Sequence, residues 1–122
     1  QANVGIVRLE GEMQQALDGI KALRRRAENV GAVGHREFNP GWHSAIDLRN
    51  LLTVSEAVTI AAIERKESRG AQFRDDYPAK SDEYSKFNIV LKRAGDGSMS
   101  MSRQPVRDLP PELKQVIEEN KQ

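Results

Sequence analysis

Leu48-Arg49-Asn50-Leu51-Leu52-Thr53-Val54-Ser55-Glu56-Ala57-Val58-Thr59-Ile60-Ala61-Ala62-Ile63 decides the fold of this chain. It sits inside a run from Trp42 to Arg69 that holds neither Pro nor Gly. At 1.5 Å of rise per residue that run predicts a helix roughly 40 Å long. One apolar stripe suffices for a helix in a two-helix hairpin. Here Leu48, Leu51, Leu52, Val54, Val58, Ile60 and Ala61 to Ile63 cover more than one face, which predicts neighbours on two sides. Asn39-Pro40-Gly41 opens the element: Asn39 can cap, and Pro40 suits the first helical position because its missing N–H has no partner there anyway. Gly70 is the natural C-terminal stop.

Upstream, Leu9, Met13, Leu17, Ile20, Leu23 and Ala27 are spaced 4, 4, 3, 3 and 4, one stripe of an amphipathic helix predicted from about Ile6 to Asn29. Gly31 and Gly34 end it. Downstream, Asp75 to Ser85 reads as loop. Phe87, Ile89 and Leu91 then alternate with Asn88, Val90 and Lys92, and Met99, Met101 and Arg103 alternate with serines after the turn Ala94-Gly95-Asp96-Gly97. This predicts a β-hairpin ended by Pro105, which cannot donate to the ladder. Pro110-Pro111-Glu112 starts a short helix with Leu113, Val116 and Ile117 on its apolar face. An isolated hairpin is marginal in water, so this one is expected to lean on the helices or on another domain.

The 122 residues suit one domain. Lys plus Arg is 19 against 18 Asp plus Glu, a net charge of +1, without the basic excess typical of nucleic-acid modules. The local basic patch Lys21, Arg24, Arg25 and Arg26 reads most plainly as a solvated helix face. The absence of cysteine excludes disulfides, thiolate metal sites and cysteine nucleophiles. No apolar run approaches the ~20 residues of a membrane span, and no signal-peptide pattern opens the chain. Its start, without Met and directly in a patterned segment, is that expected of a piece of a longer chain.

Candidate chemistry is sparse. His43 and Asp47 are one helical turn apart and His35 and Glu37 lie nearby, yet no paired-His spacing fixes a metal, and no metal site is predicted. Gly31-Ala32-Val33-Gly34 follows a helix rather than a strand, so it lacks the context of a phosphate cradle. No catalytic or cofactor-binding residue is predicted among these positions. The stretch Arg65 to Pro78 differs from the rest: Arg65, Lys66, Arg69 and Arg74 interleave with Glu67, Asp75 and Asp76 around Gly70, ending in Tyr77-Pro78. Guanidinium forks recognise carboxylate and phosphate, but Glu64, Glu67, Asp75 and Asp76 balance the cations locally, so structural ion pairs are the plain reading. Such pairs contribute ~0–1 kcal/mol when exposed and more once an interface desolvates them. On that ground Arg65, Glu67, Ser68, Arg69, Gly70, Arg74, Asp75, Asp76 and Tyr77 are the predicted docking residues.

Glu67-Ser68-Arg69-Gly70, followed by Arg74, Asp75 or Asp76, Tyr77 and Pro78, resembles the ESRGxHxRxDxP signature of succinate dehydrogenase and fumarate reductase flavoprotein subunits. L-Aspartate oxidases carry a related form. Asn3-Val4-Gly5-Ile6-Val7-Arg8, Asn39-Pro40-Gly41-Trp42, Leu48-Arg49-Asn50-Leu51-Leu52, Ser55-Glu56-Ala57, Asn88, Arg103-Gln104-Pro105-Val106 and Leu109-Pro110-Pro111-Glu112-Leu113 fit in order. Gln72 departs from the usual His, which weakens the case for proton handling at that position and leaves the helix and ion-pair reading untouched. The resemblance implies a mainly α fold: a helical bundle of about three helices, spectrin-repeat-like, with a C-terminal β-hairpin and short terminal helix. Residues 1–78 would be the bundle core and residues 79–122 the loop, hairpin and helix packed on it, in one domain of a larger chain.

The parent subunit would hold FAD in an earlier domain and take a hydride from succinate to give fumarate, or run the reverse. It would pass electrons to an iron–sulfur subunit and meet the membrane only through anchor subunits, on the cytoplasmic face of a bacterial inner membrane. The implied partners are the FAD-binding domain of the same chain and the iron–sulfur subunit, and the fragment alone would hold no cofactor and catalyse nothing. The alternatives are a free-standing helical interaction module, using Phe38 and Trp42 or the Arg24 to Arg26 patch, and the equivalent domain of an L-aspartate oxidase. A nucleic-acid-binding protein is disfavoured by the balanced charge.

Overall fold

The computed structural model describes residues 3–120. The mainly α fold predicted from the sequence is what forms, with three helices among the described residues and an antiparallel hairpin before the last of them. A two-residue strand, β1 (Val7–Arg8), leads into helix α1 (Glu10–Ala27). The stripe places the start of this helix near Ile6, and the structure begins it at Glu10. The reason is tertiary: the Ile6 and Arg8 carbonyls accept from the N–H groups of Phe73 and Asp75 at 3.1 and 3.0 Å, which holds them extended. Glu10 and Glu12 in the first turn of α1 and Arg24, Arg25 and Arg26 in the last complement the helix macrodipole, so the basic patch has a local use.

Helix α2 (Pro40–Glu64) opens as the Asn-Pro-Gly sequence predicts. The Asn39 Oδ1 accepts from the N–H groups of Gly41 and Trp42 at 3.0 and 3.3 Å. Its Nδ2 donates to the carbonyls of Val33 and His35 at 3.0 and 2.9 Å, so one side chain caps the helix and ties down the loop before it. Asn39→Ala is expected to cost about 1–2 kcal/mol in urea unfolding, a typical cap loss plus the loop tie. Asn39→Asp keeps the acceptor and loses the donors, so it should fall between the two. Equal stability of all three proteins would refute this account.

α2 ends five residues before the predicted Arg69, since Arg65 already has extended backbone angles. Gly70 is therefore not the helix stop. It takes the left-handed φ of +60° in a tight turn across which Arg69 and Gln72 exchange N–H···O bonds of 2.9 and 3.2 Å. Strand β2 (Phe73–Arg74) follows and pairs in parallel with β1, so part of the stretch after Gly70 is strand.

The helices run antiparallel: Arg24, late in α1, meets Glu56 of α2, and Glu10 at the start of α1 meets Lys66 just past the end of α2. Met13, Leu17, Ala27, Leu52 and Ala62 form the buried apolar seam, while Leu9 and Leu23 of the α1 stripe stay exposed.

A short 3-10 turn (Tyr84–Lys86) precedes β3 (Phe87–Arg93), which pairs antiparallel with β4 (Met99–Pro105) from Phe87↔Pro105 to Arg93↔Met99. The connection spans residues 94–98 and is longer than a two-residue Asp-Gly turn. Asp96 Oδ1 accepts from the Ser98 N–H and hydroxyl at 2.9 and 2.7 Å, and Gly97 takes a φ of +83°. β3 leans on α2. Helix α3 (Pro111–Glu119) follows, with Leu113, Val116 and Ile117 exposed. α2 thus has α1 and β3 as neighbours, yet Ile46, Leu51, Val54 and Val58 remain exposed on it.

Candidate docking surface

Arg74 organises the end of the helical pair. Its side chain is fully buried, a position a guanidinium occupies only when all its donors are used. Nε and Nη2 form a fork onto the two Asp76 oxygens, each at 2.6 Å. Nη1 donates to the carbonyls of Ala62 and Ile63 at 3.0 and 3.3 Å, and Nη2 also reaches Glu10 at 3.2 Å. Ala62 and Ile63 lie in the last turn of α2, where carbonyls have no intrahelical partner, so Arg74 caps that end with a charge of the favourable sign. Asp76 in turn accepts from the Glu10 N–H at 3.2 Å at the start of α1. One ion pair therefore ends one helix and begins the other. The fork from Arg74 holds the Asp76 carboxyl below its usual range.

Glu67 is the second buried charge, at 0% exposure. Its carboxylate accepts from Arg69 Nε and Nη2 at 2.8 and 3.0 Å, from Arg65 Nη1 at 2.6 Å and from the Ser81 N–H at 2.8 Å. The Arg69 hydrogen bonds, helped by Ser81 and Arg65 and opposed by burial, pull its pKa down to about 2. Arg65 also donates to the Tyr84 carbonyl at 3.1 Å and Arg69 to that of Ser81 at 3.0 Å, so the cluster fastens the following loop to the helix end. Ser68 is buried between them, accepting from the Arg74 N–H at 2.8 Å and donating to the Tyr77 carbonyl at 2.9 Å. The Tyr77 ring lies 5.0 Å from the Arg74 guanidinium. Asp75 and Gly70 are exposed.

The predicted residues thus come together around two fully buried ions, with Glu67, Ser68 and Arg74 inside and Gly70, Asp75 and Tyr77 on the outer side. Arg8, Glu10 and Gln72 belong to the same cluster and are missed by a reading of the sequence alone. Gln72 Nε2 donates to the Arg65 carbonyl at 3.0 Å, and its Oε1 accepts from Arg8 Nη1 at 2.8 Å, across 64 positions. The one hint was Gln72 itself, the departure from the family signature. Its amide supplies a donor and an acceptor at once, which binds β1 to the helix end without a titrating group. The carboxyls of Glu67 and Asp76 are both held below their usual range, so these two stay ionised near pH 7 and serve to hold shape.

His43 stacks edge-on against Trp42 at 5.2 Å, and Arg36 lies 4.8 Å over the Trp42 ring. Among the described residues no three His, Cys, Asp or Glu side chains converge on a metal-sized site, and no helix is long and apolar enough to cross a membrane. Gly31 stands in open space, and Gly34 faces the Asn39 amide in the loop between α1 and α2. Neither lies at a strand-to-helix turn, so these glycines do not fit a dinucleotide pyrophosphate.

The fumarate reductase flavoprotein C-terminal family model matches residues 1–116. The chain belongs to that family. The fumarate reductase flavoprotein subunit of Mycobacterium tuberculosis is 30% identical over 107 residues, which is 87% of this chain and 18% of that one. The succinate dehydrogenase flavoprotein subunit of Coxiella burnetii is 37% identical over 79 residues, 64% of this chain and 14% of the relative. The structure of Mycobacterium smegmatis Sdh1 in complex with UQ1 superposes with a TM-score of 0.89 at 41% identity, covering 97% of this chain and 20% of that one. The chain therefore spans less than a fifth of the length of these two curated relatives. The Glu67 to Pro78 segment that carries the sequence resemblance holds the two charged residues that are fully buried among the described residues, Glu67 and Arg74.

Proposed function

We propose that this chain is the C-terminal docking domain of a flavoprotein that interconverts succinate and fumarate. In this reading FAD and the dicarboxylate sit in earlier domains of the same polypeptide, electrons pass to an iron–sulfur subunit, and the assembly lies on the cytoplasmic face of a bacterial membrane through anchor subunits. Bound FAD would supply hydride transfer, and the present residues contribute no step of it. Residues 1–78 act as the bundle core and residues 79–122 as its extension. The observation that carries the reading is the open apolar side of α2, where Leu51 and Val54 are 64% and 61% exposed in a chain so much shorter than its relatives.

Within it the segment Arg65 to Tyr77 has two tasks. Buried Glu67, Ser68 and Arg74 fix the relative placement of α1, α2 and the loop, and Arg65, Arg69, Gly70, Asp75, Asp76 and Tyr77 border the surface that meets the flavin domain or the iron–sulfur subunit.

The test compares the 122-residue chain with the full-length protein. Full-length protein is expected to purify yellow and to reduce a dye with succinate, and the chain alone to do neither. Stoichiometric FAD on the isolated chain, or full-length protein without flavin, would overturn the proposal. In the full-length protein Arg69→Ala is expected to lower flavin content or assembly severalfold while the KM for succinate stays within about twofold. Normal assembly with a large rise in KM would assign Arg69 to ligand binding instead.

A further inference from the structure

Most arginines near the buried cluster have a carboxylate: Arg65 and Arg69 share Glu67, Arg74 has Asp76, and Arg103 has Glu64. One region departs from that rule. A groove of about 650 Å³ runs between α2 and the β3–β4 hairpin, and Arg24, Arg49, Lys92 and Arg93 line it. Arg24 is held by Glu56. The side chains of Arg49, Lys92 and Arg93 make no hydrogen bond or ion pair with any described residue. A chain of net charge +1 therefore gathers three uncompensated cations on facing walls of one cleft, two of them guanidinium forks. Between them lie Leu91 and Met99, half-buried, as the apolar part of the lining.

We propose that this groove binds an acidic polypeptide segment of a partner protein, its carboxylates on Arg49 and Arg93 and its aliphatic side chains against Leu91 and Met99. Charge complementarity selects the sign of the occupant, and the planar forks match carboxylates two hydrogen bonds at a time. The lining selects its class. Single-stranded nucleic acid is gripped by aromatic rings on which bases stack, and no aromatic residue lines this groove. Leu91 and Met99 instead suit alternate side chains of an extended peptide. The site lies apart from the buried Glu67–Arg74 cluster, and the inference does not depend on which reaction the full-length protein performs.

The test uses full-length protein and a fluorescent peptide of about ten alternating Glu and Leu residues, with the same peptide carrying Lys for Glu as control. The acidic peptide is expected to bind saturably, the basic one not at all, and affinity should fall as salt rises. Arg49→Glu with Arg93→Glu should weaken binding at least about tenfold, and Arg49→Gln with Arg93→Gln by less. Both residues are exposed and unpaired, so the melting temperature should not move. Absence of peptide binding, or binding indifferent to both double variants, would overturn the proposal. So would tighter Arg49- and Arg93-dependent binding of oligo-dT or of anionic phospholipid vesicles, which would assign the cations to a different class of partner.

Discussion

Arg74→Met lowers the stability of the chain by about 3 kcal/mol, near the lower end of what breaking one side of a buried ion pair costs. Four losses add up to this, that of the Glu10 ion pair among them. Asp76 keeps its charge but loses its fork, and at 25% side-chain exposure it rehydrates only partly. The Ala62 and Ile63 carbonyls at the end of α2 lose their donor. Tyr77 loses the cation over its ring. One effect opposes them: Arg74 repels Arg8, whose pKa is lowered first by burial and then by that neighbour, so removing Arg74 relieves some strain. A fall of this size is a large share of the ~5–15 kcal/mol that holds a domain folded and corresponds to roughly 10 °C in Tm. Arg74→Lys keeps the charge but cannot fork, so it should recover only part of the loss. A Met variant within about 0.5 kcal/mol of the parent in urea unfolding, the range of ordinary surface changes, would remove Arg74 from the centre of this account.

Glu67→Gln is expected to cost a similar ~3 kcal/mol at pH 7, because two guanidinium groups then face a neutral amide whose NH2 is a donor like themselves. This prediction also has a pH signature. The folded-state pKa of Glu67 is depressed to about 2 from an ordinary 4.5. A depressed carboxyl contributes stability that is complete above its unfolded pKa and lost as pH falls through the folded one. The gap between parent and Gln variant should therefore be constant from pH 7 to about 5 and narrow steadily towards pH 2. Other carboxyls, Asp76 included, titrate in both proteins and cancel in the difference. A gap that stays flat down to pH 3 would show that the Glu67 charge contributes nothing to stability.

The two predictions concern residues whose local sequence announced charge and not burial. Alternating Arg and Glu at a helix end looks like a solvated mixture, and exposed pairs of that kind stabilise little. Arg74 is closed over by Glu10, 64 positions earlier, and Glu67 by Arg65, Arg69 and the Ser81 N–H of the following loop, while Arg8 fastens β1 alongside through Gln72. No spacing rule links positions so far apart. Two boundaries moved as well, since Val7 and Arg8 became a strand rather than the first turn of α1 and α2 stopped at Glu64 rather than Arg69.

What the sequence determined by itself were the elements whose causes are local. The Met13 and Leu17 stripe made α1, the Asn39 cap with Pro40 opened α2, alternation from Phe87 to Leu91 made β3, and Pro110-Pro111 opened α3. Each follows from backbone sterics, caps or periodicity within a few residues. Tertiary structure alone decided where α1 begins and α2 ends, that β1 and β2 pair, and that Glu67 and Arg74 lie fully buried. Those outcomes depend on which distant donors reach a carbonyl or carboxylate once α1 and α2 are side by side, and desolvation then turns a weak surface pair into a fixed joint.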